Sequence, residues 1–229
     1  MNLLLALILG MSADPGVTVQ EGRQAMAKLA ECTVKHKRDQ VAKELLTGQS
    51  SDKMRSAFIS MLDKKKCSTD RKSAGAILIM MLSETAHFSM AEALVASDFR
   101  APIQNLSDAP EIETSTFDPS AYEPRPNRKY TDEQLRNLQI NADRARYISE
   151  LSKIGDCVVR TDTERSQRLL LSPIDSSQES SSFEALKMVI GKCLPSGQSF
   201  RLDKALLRGA VAFNFYRLAK AASVNGGIR

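Results

Sequence analysis

The sequence predicts an all-α protein of about eight helices, arranged as two similar four-helix repeats that a Pro-rich acidic linker joins. Three observations carry that expectation. Apolar residues recur at three- and four-residue steps through most of the chain. The second half reads as a diverged copy of the first. Four cysteines fall in register between the two copies. At an offset of 125, Cys32 falls on Cys157, Val34 on Val159, Leu45-Leu46 on Leu170-Leu171 and Phe58 on Phe183. One residue more places Lys66-Cys67 on Lys192-Cys193. Two more place Leu78 on Leu206, Phe88 on Tyr216, and Ala91 and Ala93 on Ala219 and Ala221. The drift sits in loops, where insertions are tolerated.

The layout is a signal peptide over 1–13, a first repeat over 17–99, a linker over 100–130 and a second repeat over 131–224. Met1 to Gly10 is an apolar run followed by the small residues Ser12 and Ala13, which reads as a secretory signal cleaved near Ala13. The alternative is a frayed apolar helix. The run is too short to span a bilayer, and no other stretch is long enough to cross one.

In the first repeat, Val19 to Ala30 has helical spacing. Cys32 is expected to interrupt it, with Thr33-Val34 a brief extended link. Lys37 to Leu46 forms a second helix that stops at Thr47-Gly48. Ser50 to Asp52 offers caps for a third, Lys53 to Lys65, which Cys67 closes. Ser73 to Ala96 is a longer fourth helix with Ala74, Leu78, Met81, Thr85 and Phe88 along its seam. Residues 100–128 hold five of the eight prolines and several acids, a linker or a strap whose handles are Ile112, Phe117 and Tyr122.

The second repeat opens with Thr131 as N-cap and Asp132-Glu133 at the positive end of a long helix. Leu135, Leu138, Ala142, Ala145, Ile148 or Ser149, Leu151 and Ile154 form its seam, and Gly155 is expected to stop it before Cys157. Thr163 to Leu171, Phe183 to Lys192 and a final helix with Leu202, Leu206, Gly209, Phe213 and Tyr216 complete the repeat.

An even cysteine count behind an export signal makes disulfides the default. The duplication selects Cys32 with Cys67 and Cys157 with Cys193; in each copy one cysteine precedes helix two and the other ends helix three. Four buried thiols in a cytosolic protein are the alternative. The spacing holds no zinc knuckle, and neither a metal nor another cofactor is expected. A net charge of +5, with bases and acids interspersed, supplies no dedicated nucleic-acid surface.

Four places invite a chemical reading. His87, with Glu84 a turn earlier, reads as a structural histidine more readily than a ligand. Lys35, Lys37 and Arg38, near Lys64 to Lys66, form either a solvated end or an anion or partner contact. Arg208, in Leu207-Arg208-Gly209-Ala210, pairs with an acid such as Asp156 or Glu184, or takes an anion. Gly209 in a helix interior costs about 1 kcal/mol against alanine, which close helix approach would explain. No nucleophile elbow, phosphate loop or zinc-protease motif occurs.

The residues Gly155–Val159, Leu170–Leu171, Cys193 and Leu207–Arg217 form a pattern similar to that of uncharacterised exported helical proteins of the alphaproteobacteria, the sphingomonads in particular. The resemblance implies a periplasmic address and carries no activity with it. The first copy departs at Met80 and Met81, which stand where Arg208 and Gly209 stand in the second. The expected function is a binding or scaffolding protein of the cell envelope. The runner-up is a carrier holding an apolar ligand between the repeats, its adaptable lining drawn from Met54, Met61, Met80, Met81 and Met90. An enzyme comes third.

Overall fold

The computed structural model describes residues 18–47, 56–58, 60–61, 66–67, 86–103, 105–112, 117–195 and 202–224. Among them the chain is all-helical, with two disulfides and no strand. The segment read as a signal, the Ser73–Thr85 half of the predicted fourth helix, and Met54, Met80 and Met81 lie outside the described residues. So do Glu84 and Lys64-Lys65.

Helix α1 runs Val19–Leu46 without the break expected at Cys32. Thr18 opens it with a capping box, accepting from the Glu21 amide while the Glu21 carboxylate accepts from the Thr18 amide. Thr33 and Val34, expected to be extended, are helical because both are buried, and the Thr33 hydroxyl donates to Leu29 O at 2.8 Å. Burial overrides their weak helix preference. The chain bends instead at Lys37, the one residue of α1 with non-helical torsions.

Residues 56–58 and 60–61 are helical, as the predicted Lys53–Lys65 helix requires, and Phe58 is fully buried. Helix α2 spans Ala86–Asp98. The segment after it is a strap, not a free linker. Gln167 donates to Phe99 O and Ala101 O and accepts from the Ile103 amide. Thr163 accepts from the Leu106 amide, and Arg160 donates to Ser107 O, Ala109 O and Pro110 O. Helical side chains thus satisfy the backbone groups of an irregular segment, and Leu106 is buried under it. Phe117 stacks on Tyr122, at the end of a 3-10 turn over Pro119–Tyr122, and Arg146 lies over Phe117.

Helix α3 runs Asp132–Thr161, capped by Thr131 as expected and boxed with Gln134. Its burial begins at Ala142, so Leu135, assigned to the seam, is exposed. Gly155 does not stop it. A Cβ there would lie 2.6 Å from Ala210 O, so the glycine lets α3 pass against the last helix. The helix ends at Asp162, which also caps α4 (Thr163–Leu171). Helix α5 covers Ser177–Cys193 and starts before the expected Phe183, because Ser176 caps it. The last helix, α6, spans Lys204–Val224.

Four helices stack in the order α1, α2, α6, α3, with α4 and α5 closing one side. The sequence assigns α6 a single seam, yet every residue from Leu207 to Ala219 is buried. A helix packed on all sides has no polar face. Its polar residues therefore need internal partners. Asn214 donates to Ser152 O and Ala210 O, each at 2.9 Å, and Arg217 lies over Phe213. At the α2–α6 crossing a Cβ on Gly209 would meet Phe88 Cβ at 2.5 Å, the close approach that its place in a helix interior implies.

The disulfides pair as predicted, Cys32 with Cys67 and Cys157 with Cys193. The second ties the last turn of α3 to the last residue of α5 and closes the α4–α5 hairpin. A closed loop of 36 residues stabilises the fold by about 4 kcal/mol through the unfolded chain.

Candidate functional site

A cleft opens between the two halves of the chain. Its cavity measures about 260 Å³. Met26 of α1, Phe88 of α2, Leu170 and Leu171 of α4, Ile174 of the α4–α5 turn and Leu206 of α6 supply apolar walls. The polar groups are Arg23, Glu31, Ser89, Glu92, Ser172 and Arg208.

Arg208 anchors the base. Its Nε donates to Glu92 Oε2 at 2.8 Å, Nη1 to Ser172 Oγ at 3.1 Å and Glu179 Oε1 at 3.0 Å, and Nη2 to Leu170 O at 3.0 Å and Ser172 O at 2.9 Å. All five donors of the guanidinium are used. Two of the acceptors are carbonyls at the end of α4, which the helix itself leaves open. The partners are not the Asp156 and Glu184 expected from sequence, which pair with Arg160 and Lys187 on their own helices. Nor is Arg208 available to an outside anion, since its hydrogen-bonding capacity is spent inside the protein.

Glu179 is shared. It accepts from Arg208, from both Arg23 Nη atoms and from the Asp175 amide at 2.8 Å. Burial pushes its carboxyl up, but the hydrogen bonds from Arg23 and the Asp175 amide, with Arg208 beside it, hold it below the usual range. Asp175 closes the ring by accepting from Arg23 at 2.8 Å. Asp175 sits at φ 60°, in the left-handed region that an aspartate tolerates better than most residues. The turn thereby aims both its amide and its carboxylate at the cluster.

Glu92 differs. Burial pushes its carboxyl above the usual carboxylate range, against the pull of Arg208 and Arg23. Only Oε2 is held by Arg208, and among the described residues Oε1 has no hydrogen-bond partner. Glu92 lines the cavity with Ser89 one turn earlier on α2. Ser172 Oγ donates to Leu169 O while accepting from Arg208, so its hydroxyl is committed.

None of Lys35, Lys37 and Arg38 lines the cleft. Lys35 is exposed and Lys37 marks the bend of α1. Arg38 is drawn onto Asp98, with Nε at 2.7 Å and Nη2 at 2.8 Å. Asp98 also accepts from Tyr216 at 3.0 Å and pairs with Lys220 at 3.2 Å. Burial raises its carboxyl, and the bonds from Arg38, Tyr216 and Lys220 outweigh burial and hold it below the usual range. His87 is packed, with the Phe88 and Phe213 rings 4.3 and 5.0 Å from its own. Among the methionines assigned to a ligand lining, Met90 is core and Met61 packs against the core, while the cleft presents Met26.

Sequence reasoning singles out Arg208 but misses Glu92, Glu179 and Arg23, which are single charges on unrelated stretches. Among the described residues no metal-ligating cluster occurs, and no helix is long and apolar enough to cross a membrane. Comparison with protein-family models, with curated proteins and with solved structures finds no match for the chain.

Proposed function

We propose that this is an exported binding protein built from two copies of one helical unit, carrying a small, mostly apolar ligand in the cleft between them. The observation that carries the reading is the cleft itself. Its apolar walls come from both halves, and its base holds a partly buried carboxyl, Glu92, one oxygen of which no described residue engages.

Several features support the duplication. The bend of α1 at Lys37 and the α3–α4 break at Asp162 stand 125 residues apart, the offset of Cys32 and Cys157. A second surface hollow, lined by Leu46, Thr47, Tyr216 and Lys220 among others, answers to the cleft residues Leu171, Ser172, Phe88 and Glu92 at offsets of 125 and 128. Two disulfides, the apolar N-terminal run and the resemblance to exported helical proteins support export, because disulfides persist in oxidising compartments. A scaffolding role draws less support. The exposed large apolar residues of the described chain are Val19 and Leu46 at opposite ends of α1, with Leu135, Leu171 and Met188 on three other helices.

Native mass spectrometry of protein purified from the periplasm tests the proposal. The expected result is a mature N-terminus near Ala13, a mass four hydrogens short for two bridges, and a small retained ligand. A chain that keeps Met1, carries free thiols and holds nothing would refute it.

A further inference from the structure

Resting on the cleft reading, we propose that the ligand is a small amine: an apolar body with one ammonium group, seated on Glu92. The argument begins with charge. Among the described residues, two cations stand around the cavity, Arg23 and Arg208, and four carboxylates, Glu31, Glu92, Asp175 and Glu179. The site is therefore negative overall and repels an anionic head group. Both arginines are already engaged by Glu179, and Arg208 has no donor to spare.

Hydrogen-bonding capacity points the same way. Among the described residues Glu92 Oε1 is an acceptor without a donor, on the cavity wall and one turn from Ser89. An ammonium brings three donors and no acceptor, which suits a cavity lined by a carboxylate and a serine one turn apart. The apolar remainder lies against Phe88, Leu170, Leu171 and Leu206. A volume of about 260 Å³ falls just under the range of sites for drug-sized molecules, so the body is one ring or a short chain.

The raised Glu92 carboxyl adds a pH signature. The ammonium needs the ionised carboxylate, so affinity falls on acidification at a pH above that of an ordinary glutamate. The other groups facing it do not reproduce this. The Arg23 guanidinium is held charged by Glu179, and Glu179 is held below the usual range. Asp175 is engaged by Arg23, and Glu31 sits on the exposed face of α1.

Calorimetric titration of the disulfide-intact protein with 2-phenylethylamine, 2-phenylethanol and 3-phenylpropionate tests the inference. The amine should bind best and the carboxylate not at all. Glu92→Gln keeps the shape and an oxygen for Arg208, and should weaken the amine roughly tenfold to a hundredfold while leaving the alcohol unchanged. Leu171→Trp, on the exposed rim, should weaken both. If amine and alcohol bind alike and Glu92→Gln changes neither, the cleft stands and the amine assignment falls. Preference for the carboxylate overturns the assignment as well. Amine binding that survives Leu171→Trp places the ligand elsewhere, and silence from all three probes removes the cleft reading itself.

Discussion

Replacing Arg208 with methionine removes a residue whose hydrogen bonds join α6 to the end of α4, to α5 and to α2. Five hydrogen bonds disappear, and methionine fills much of the volume without supplying a donor. Leu170 O and Ser172 O are left buried without that partner, and Glu92 loses its ion pair with Arg208. Glu179 keeps Arg23, which limits the damage on that side. Breaking a buried pair by deleting one partner costs about 3–5 kcal/mol, which for a chain of this size lowers the melting temperature by roughly 6–20 °C. The deficit should depend on pH. Without Arg208 the Glu92 carboxyl rises further above its unfolded value, so the folded state takes up a proton more readily than the unfolded one. Stability then recovers as pH falls from about 7 to 5. Urea denaturation followed by circular dichroism at both pH values reads the two effects. Arg208→Lys keeps the charge but not the planar fork, and should recover part of the loss. A deficit under about 1 kcal/mol at neutral pH, or the same deficit at both pH values, refutes the reasoning.

The glycines separate packing from propensity. Gly155→Ala and Gly209→Ala would place a methyl 2.6 Å from Ala210 O and 2.5 Å from Phe88 Cβ, and each should cost about 1–3 kcal/mol. Gly191→Ala on α5 meets nothing within 4 Å, so it should stabilise by roughly 0.5–1 kcal/mol; thermal melts of the three variants check the opposite signs. Asp98→Asn should cost about 2 kcal/mol at neutral pH, from hydrogen bonds to a charged group. Because the folded carboxyl is held below its unfolded value, its contribution is complete above the ordinary carboxylate range and disappears as pH falls through the folded value. Wild type and variant should therefore converge in acid, which paired urea titrations would show. Cys157→Ser with Cys193→Ser should lower stability by about 3–4 kcal/mol, and unchanged denaturation midpoints would remove the bridge from the stability of the second half.

Legibility from sequence follows the range of the interaction. The cap at Thr131 and the helix over Thr163–Leu171 depend on residues within one or two turns, so local pattern reveals them. The strap was readable as an alternative because Ile112, Phe117 and Tyr122 stand out among prolines and acids. The continuity of α1 through Cys32 was not, since Thr33 and Val34 favour extended backbone until α2 buries them. Gly155 illustrates the same limit. A glycine late in a helix looks like a stop, and only the backbone of α6 passing behind it makes it a crossing point. In the candidate site, Arg208 drew attention because an arginine inside an apolar run needs partners. Those partners, 29 and 116 residues away, had no signal of their own.

By itself the sequence determined the helical class, the cysteine pairing and the order of most helices, because periodicity and register are properties of neighbouring or aligned residues. The tertiary structure alone decided that α6 would be enclosed on every face, that Glu92 would be partly buried with one oxygen engaged by no described residue, and that Arg23, Glu179 and Arg208 would share one site. Those outcomes depend on which surfaces meet. A chain that closes four helices into a row must bury whatever charges its central helices carry, and the partners are set by packing at distances along the chain that no local pattern records.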